Sequence, residues 1–218
     1  MQKIILTLWV IAFCLPAFAQ DEDTSSKGIS HYVFGDFSTG LVKKKSGQVA
    51  HIPLNYNTLT EEMVFIKDTE KLAMTGLEEI DTVYAGGKIF VPGKNFFYEK
   101  LTSTPVALYV QRKTNLLPGG SNVGYGMKSE TSSVQDLNAI IGSTQVYKLT
   151  LPGGYKLVDH SLYWVNKNGR FMQVTNIKKV QAVFPAKAAE IKTFAEANNI
   201  KFNNPADMVK LIEFCNQP

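Results

Sequence analysis

The spacing of apolar residues changes character along the chain. Residues 4–18 form a nearly continuous apolar run, broken by Pro16. From His31 to about Leu117, short apolar or alternating segments are separated by turn residues, the period of β-strands. From Asn176 onward apolar residues recur at helical spacing. In the strand region, Ser46-Gly47 and Gly86-Gly87 sit between strand-like segments as hairpin turns. The strongest hairpin signal is Asn168-Gly169, flanked by residues 161–167 and 170–174. Pairing across that turn predicts Tyr163, Val165, Met172 and Val174 on one face, and Leu162, Trp164 and Phe171 on the other. With both faces apolar, the hairpin is expected either to lie between two layers or to offer an aromatic face to a ligand.

Three apolar-Pro-Gly exits, Val91-Pro92-Gly93, Leu117-Pro118-Gly119 and Leu151-Pro152-Gly153, suggest turns with Pro at the second position and a left-handed Gly at the third. Residues 118–143 read as a long irregular stretch, and residues 145–151 as a strand. At the C-terminal end Asn176 is placed to cap a short helix stopped by Pro185, and residues 186–198 form a second. Asn204-Pro205 opens a third, with a capping side chain followed by proline at the first helical position. Met208, Leu211, Ile212 and Cys215 mark its buried stripe. The expected class is α+β: a mostly antiparallel β-sheet with two to three C-terminal helices packed on it.

The N-terminal run has the form of a secretory signal peptide: Lys3, an apolar stretch, then Ala17-Phe18-Ala19, a pattern a signal peptidase accepts. At 15 residues it is shorter than the roughly 20 a membrane span requires. Phe13 before Cys14 does not suit lipid attachment. The predicted organisation is a signal peptide over 1–19, a disordered polar leader over 20–29, and a single domain over 30–218, β-rich to 174 and helical from 175. This implies export to the periplasm, the outer-membrane surroundings or the extracellular space, with no transmembrane segment in the mature chain.

Composition narrows the chemistry. The net charge of +4 is mild, and Lys43-Lys44-Lys45 is the densest basic run, so nucleic acid is not indicated as a partner. Cys215 alone would survive signal cleavage, so the domain must stand on packing without an internal disulfide. His31, His51 and His160 lie far from one another and from Cys215, and no metal-ligand spacing is present. Asp159-His160-Ser161 has the residue types of a catalytic triad. On a strand, however, consecutive side chains alternate faces, and the His would point away from both neighbours. No nucleophile elbow or phosphate loop occurs. The sequence therefore names no catalytic residue, no metal ligand and no cofactor.

Aromatic residues are the remaining signal: 13 Phe, 9 Tyr and 2 Trp, many within strands. Strands and cores favour such residues, and sugars and peptides stack on them. A binding surface would draw on Tyr125 in the long loop together with Trp164 and Phe171.

Gly47-Gln48-Val49-Ala50-His51-Ile52-Pro53-Leu54-Asn55-Tyr56-Asn57 with Glu62-Met63-Val64-Phe65, the later Ile89-Phe90-Val91 and Phe97-Tyr98-Glu99, and the C-terminal Asp207-Met208-Val209-Lys210-Leu211 together resemble a group of uncharacterised exported proteins common in Bacteroidota. The resemblance implies a cell-envelope or secreted setting and brings no activity or catalytic residue. The leading expectation is a non-enzymatic binding or structural protein whose partner is an envelope protein or glycan. The alternatives are a hydrolase of envelope glycan or peptide, with acids such as Glu61, Glu62, Asp81 or Asp159 assembled across a cleft, and a carrier of a small ligand between sheet and helices.

Overall fold

Tight turns organise the first part of the chain. A computed structural model describes residues 30–118, 121–122, 128–129 and 155–217. Strands β1 (Ser38–Lys44) and β2 (Val49–Asn57) are joined through Gly47 at φ 88°. Strands β3 (Glu62–Lys67) and β4 (Glu70–Ala73) follow, then β5 (Ile80–Ala85), β6 (Lys88–Pro92), β7 (Phe97–Lys100) and β8 (Ala107–Gln111). After β8 the chain leaves the main sheet for β9 (Thr114–Pro118), β10 (Ser121–Asn122), β11 (Lys128–Ser129) and β12 (Tyr155–Asp159). It returns for the hairpin of β13 (Leu162–Lys167) and β14 (Arg170–Gln173). Asn168 at φ 54° and Gly169 at φ 81° form the expected two-residue turn, because both central positions of that turn require positive φ.

Among the described residues the main sheet has ten strands in the order β14-β13-β8-β7-β6-β5-β1-β2-β3-β4, and every pairing is antiparallel. Two meanders meet where β5 pairs with β1, and the hairpin is added at β8. Directly paired residues share a face, so the register defines a row across the sheet: Val42, Val83, Phe90, Glu99, Val110 and Tyr163. Five of its six members are apolar or aromatic core residues. We call this the inner face.

The inner face is strongly curved. Tyr56 of β2 stacks on Phe90 of β6 with ring centroids 5.5 Å apart, although β1 and β5 lie between them. In a flat sheet three strand steps would span about 14 Å. Further out, the Thr114 amide donates to the Thr58 carbonyl at 2.9 Å and the two threonine hydroxyls meet at 2.7 Å. These contacts bring the end of β2 against the continuation of β8, so the arc from β8 to β2 nearly closes on itself. Residues 31–34 run alongside the end of β2 through the Tyr32–Asn57 bridge. Leu54, Tyr56, Met63, Val83, Phe90 and Phe97 fill this rolled portion.

At the other end the same face carries the helices. Helices α1 (Ile177–Val183), α2 (Ala188–Ala197) and α3 (Pro205–Asn216) bury Val180, Val183, Ile191, Met208, Leu211, Ile212 and Cys215 against Leu108, Val110, Tyr163 and Val165. The Asn176 side chain accepts from the Lys179 amide, and the Asn204 side chain accepts from the amides of Ala206 and Asp207, so both predicted caps are formed. Asn216 clamps α3 to β8: Val106 N–H donates to its Oδ1 at 2.9 Å, and its Nδ2 donates to the Val106 carbonyl at 3.1 Å. Burying each large apolar residue of the α3 stripe contributes about 1.5–3 kcal/mol. The fold is α+β, a large antiparallel sheet on which, among the described residues, three helices pack. No described helix is long and apolar enough to cross a membrane.

Two local expectations change. Gly93 is not left-handed: Pro92 remains in β6 paired with Phe97, and the Gly93 amide bonds to the Phe96 carbonyl at 2.7 Å, which closes the β6–β7 connection without positive φ. The stretch from 118 to 143 contains strand pairing, between Ser121–Asn122 and Lys128–Ser129. Residues 114–118 and 155–159 pair as a separate two-stranded ribbon, which the sequence pattern does not show. The strand expected over 145–151 lies outside the described residues.

Candidate functional site

The outer face of β7, β8, β13 and β14 carries an aromatic group. Tyr98, Ala107 and Tyr109 form its buried centre, with Val91, Phe96, Trp164 and Phe171 packed around them. Every member comes from the sheet or from the β6–β7 turn, whereas the inner face at the same strands is covered by helices. Tyr98 is the hub. Phe171 stacks on it at 4.3 Å with planes 7° apart, while Trp164 and Phe96 meet it edge-on at 5.5 and 4.8 Å. Phe171 also meets Tyr109 edge-on at 5.0 Å. Stacked and edge-on pairs of this kind add about 0.5–1.5 kcal/mol each beyond area burial, which holds the cluster rigid. Burial raises the phenol pKa of both Tyr98 and Tyr109.

The structure thus brings Trp164 and Phe171 onto one face, with Trp164 opposite Tyr109 and Phe171 opposite Asn166 in register. Tyr125 lies outside the described residues. The indole N–H of Trp164 is buried and makes no hydrogen bond. The sequence pattern puts Tyr98 and Tyr109 in strands, and Tyr109 on the face opposite Val110, but does not bring the two together. Their alternation with Glu99 and Val110 places them outward only once the β7–β8 register is known.

Three of the four acids considered for hydrolysis, Glu61, Asp81 and Asp159, are engaged elsewhere. Glu61, in the turn after β2, bonds to Lys113 and to the Gln111 side chain. Asp81 pairs with Lys43 at 3.1 Å, and the Lys43 hydrogen bond lowers its pKa. Asp159 accepts from the Ser161 amide at 2.7 Å, and the Ser161 hydroxyl in turn accepts from the Lys113 amide at 3.4 Å. Clefts of about 460, 340 and 350 Å³ open on the outer side of β1 and β5, beside Tyr163 and Phe202, and between β14 and α1. None of the three is lined by Asp or Glu.

Sequence reasoning missed Glu99. It is 2% exposed and stands in the apolar row of the inner face, at the boundary between the rolled core and the helical core. Lys88 Nζ reaches one carboxylate oxygen at 2.5 Å, and Arg112 Nε reaches the other at 2.6 Å. Burial alone would push the carboxyl up. The hydrogen bonds and charges of Arg112 and Lys88 outweigh it and hold Glu99 below its ordinary range. A carboxylate held ionised, with both oxygens occupied, suits an internal strut and not a general acid.

His31 is also buried, and its Nε2 has no hydrogen-bond partner. Burial, and then the charge of Lys71, lower its pKa. Burial pushes the Cys215 thiol up to about 11, far from a reactive thiolate. Among the described residues no three His, Cys, Asp or Glu side chains converge as a metal site. No protein family, curated protein or solved structure matches this chain.

Proposed function

We propose that this is an exported protein of the cell envelope or its surroundings that binds a partner without transforming it. The N-terminal pattern of Lys3, apolar run and Ala17-Phe18-Ala19 supports export, as does the resemblance to the Bacteroidota group. The observation that carries the binding reading is the outer aromatic cluster. An exported sheet that covers one face with helices and on the other sets partly exposed Phe96, Trp164 and Phe171 around the buried Tyr98 and Tyr109 has the makings of a contact surface. Aromatic side chains are enriched where one protein meets another, because they bury large area at low entropic cost.

A thermal-shift screen of the protein against envelope glycans and peptides tests this reading. A ligand at 100 times its Kd adds about 2.7 kcal/mol. For a domain of this size the midpoint then rises by roughly 5–10 °C. The response is expected to be lost in a folded Phe171→Ser variant. A response that Phe171→Ser leaves intact would move the site elsewhere, and turnover of the bound molecule would overturn the non-enzymatic reading.

A further inference from the structure

The aromatic face ends at β14, which among the described residues has a strand neighbour on one side only. The two-residue turn makes Lys167 and Arg170 the first pair of the hairpin, and the Val174 amide donates to the Tyr163 carbonyl at 2.9 Å. Hydrogen bonding alternates along an antiparallel strand. Arg170, Met172 and Val174 therefore turn their backbone groups toward β13, and Phe171 and Gln173 turn theirs outward. Among the described residues no backbone group takes these outward donors and acceptors.

Beside this edge runs the 350 Å³ cleft between β14 and α1, lined by Met172, Gln173, Thr175, Lys179, Ala182 and Val183. Its floor is apolar, and Lys179 is the charged residue in its lining. From residue 160 to residue 189 the sequence carries Lys167, Arg170, Lys178, Lys179 and Lys187 and no acid, more positive charge than the +4 of the whole chain. Lys167 is committed to the Val183 carbonyl at 2.8 Å. Arg170, Lys178 and Lys179 are exposed and make no ion pair among the described residues.

We propose that β14 is a docking edge for an extended, acidic peptide segment of a partner protein, which adds to the sheet as an eleventh strand. The inference rests on the binding reading above and names the partner's chemistry. An added strand exchanges backbone hydrogen bonds with Phe171 and Gln173. Its side chains alternate between two surfaces, one set over Met172, Ala182 and Val183, the other beside Phe171 and the aromatic cluster. Acidic residues flanking the paired stretch meet Arg170, Lys178 and Lys179. The positive charge around this edge also disfavours a second copy of this chain, because edge-to-edge pairing would bring two like-charged edges together.

The probe is a pool of eight-residue peptides with Glu at alternate positions and Val, Ile, Thr, Tyr or Phe between, compared with a matched pool carrying Lys in place of Glu. Binding is read by fluorescence anisotropy. The acidic pool is expected to bind and the basic pool is not. Gln173→Pro removes an outward N–H that the sheet itself does not use, a substitution edge strands accept. It is expected to weaken the acidic pool about tenfold, the scale of one lost backbone hydrogen bond with its unmet partner. Lys179→Glu is expected to weaken the acidic pool and admit the basic one, which supplies an independent readout should the proline variant fail to fold. Equal binding of both pools, no binding at millimolar peptide, or full binding by folded Gln173→Pro would overturn the proposal. If Gln173→Pro keeps the thermal response to a screened ligand while Phe171→Ser loses it, the face binds and the edge does not; loss of neither response removes both.

Discussion

Replacing Glu99 with Gln keeps the shape of the side chain and removes its charge. The carboxylate is 2% exposed and holds Lys88 and Arg112 at 2.5 and 2.6 Å. Removing one partner of a buried ion pair costs about 3–5 kcal/mol, chiefly because the other charge is left uncompensated. Here the surviving cations are 35% and 26% exposed, so water recovers part of that loss. The expected destabilisation is about 2–4 kcal/mol at pH 7. At about 2–4 °C per kcal/mol for a domain of this size, the midpoint falls by roughly 4–15 °C. The pH dependence gives a second check. The folded pKa of Glu99 is depressed, so its contribution is complete above the unfolded value of about 4.3 and is lost as pH falls through the folded value. Urea unfolding of the native and Glu99→Gln proteins at several pH values should show a wide gap at neutrality that narrows in acid. A gap below about 0.5 kcal/mol at pH 7, the ordinary scatter of surface substitutions, would refute the account of Glu99 as the strut between the two cores. So would a gap that stays constant with pH.

His31 supplies a pH effect in a different window. Its depressed pKa means that the unfolded chain takes up a proton below about pH 6.5 that the fold refuses, so stability should decline from pH 7 toward pH 5. Urea unfolding of a His31→Asn chain should show a flatter profile over that range. Gly40→Ala should destabilise by about 1–3 kcal/mol, because an added Cβ would lie 2.5 Å from the Tyr84 carbonyl oxygen on the neighbouring strand and 2.6 Å from Leu54 Cδ1. Calorimetry of the variant checks this, and an unchanged midpoint would mean that β1 and β5 can separate at no cost. Trp164→Phe removes a buried N–H that has no partner, so it should cost less than the loss of ring area alone implies.

Local features were legible in the sequence where the determinants are themselves local. The Asn168-Gly169 turn fixes its own register, and from it the separation of Trp164 and Phe171 from Tyr163 and Val165 follows by alternation. The caps at Asn176 and Asn204 are likewise written within three residues of the helices they start. Glu99 and Tyr98 were not legible. Their roles depend on β7 lying between β6 and β8 in one particular register, and on the curl that brings Tyr56 of β2 onto Phe90 of β6. Gly93 shows the same limit at short range: Pro-Gly permits a left-handed turn, but the pairing of Pro92 with Phe97 selects another connection. The candidate surface was half visible. Trp164 and Phe171 belong to the hairpin, whereas their partners Tyr98 and Tyr109 come from strands distant in sequence.

Amide hydrogen exchange at β14 tests the binding account most directly. In the isolated protein the Phe171 and Gln173 amides should exchange much faster than those of Met172 and Val174, which face β13. Saturation with the Glu-bearing peptide pool should slow Phe171 and Gln173 and leave the other two unchanged. Amides of Phe171 and Gln173 already as slow as their neighbours in the isolated protein, or unprotected at saturating peptide, would contradict it.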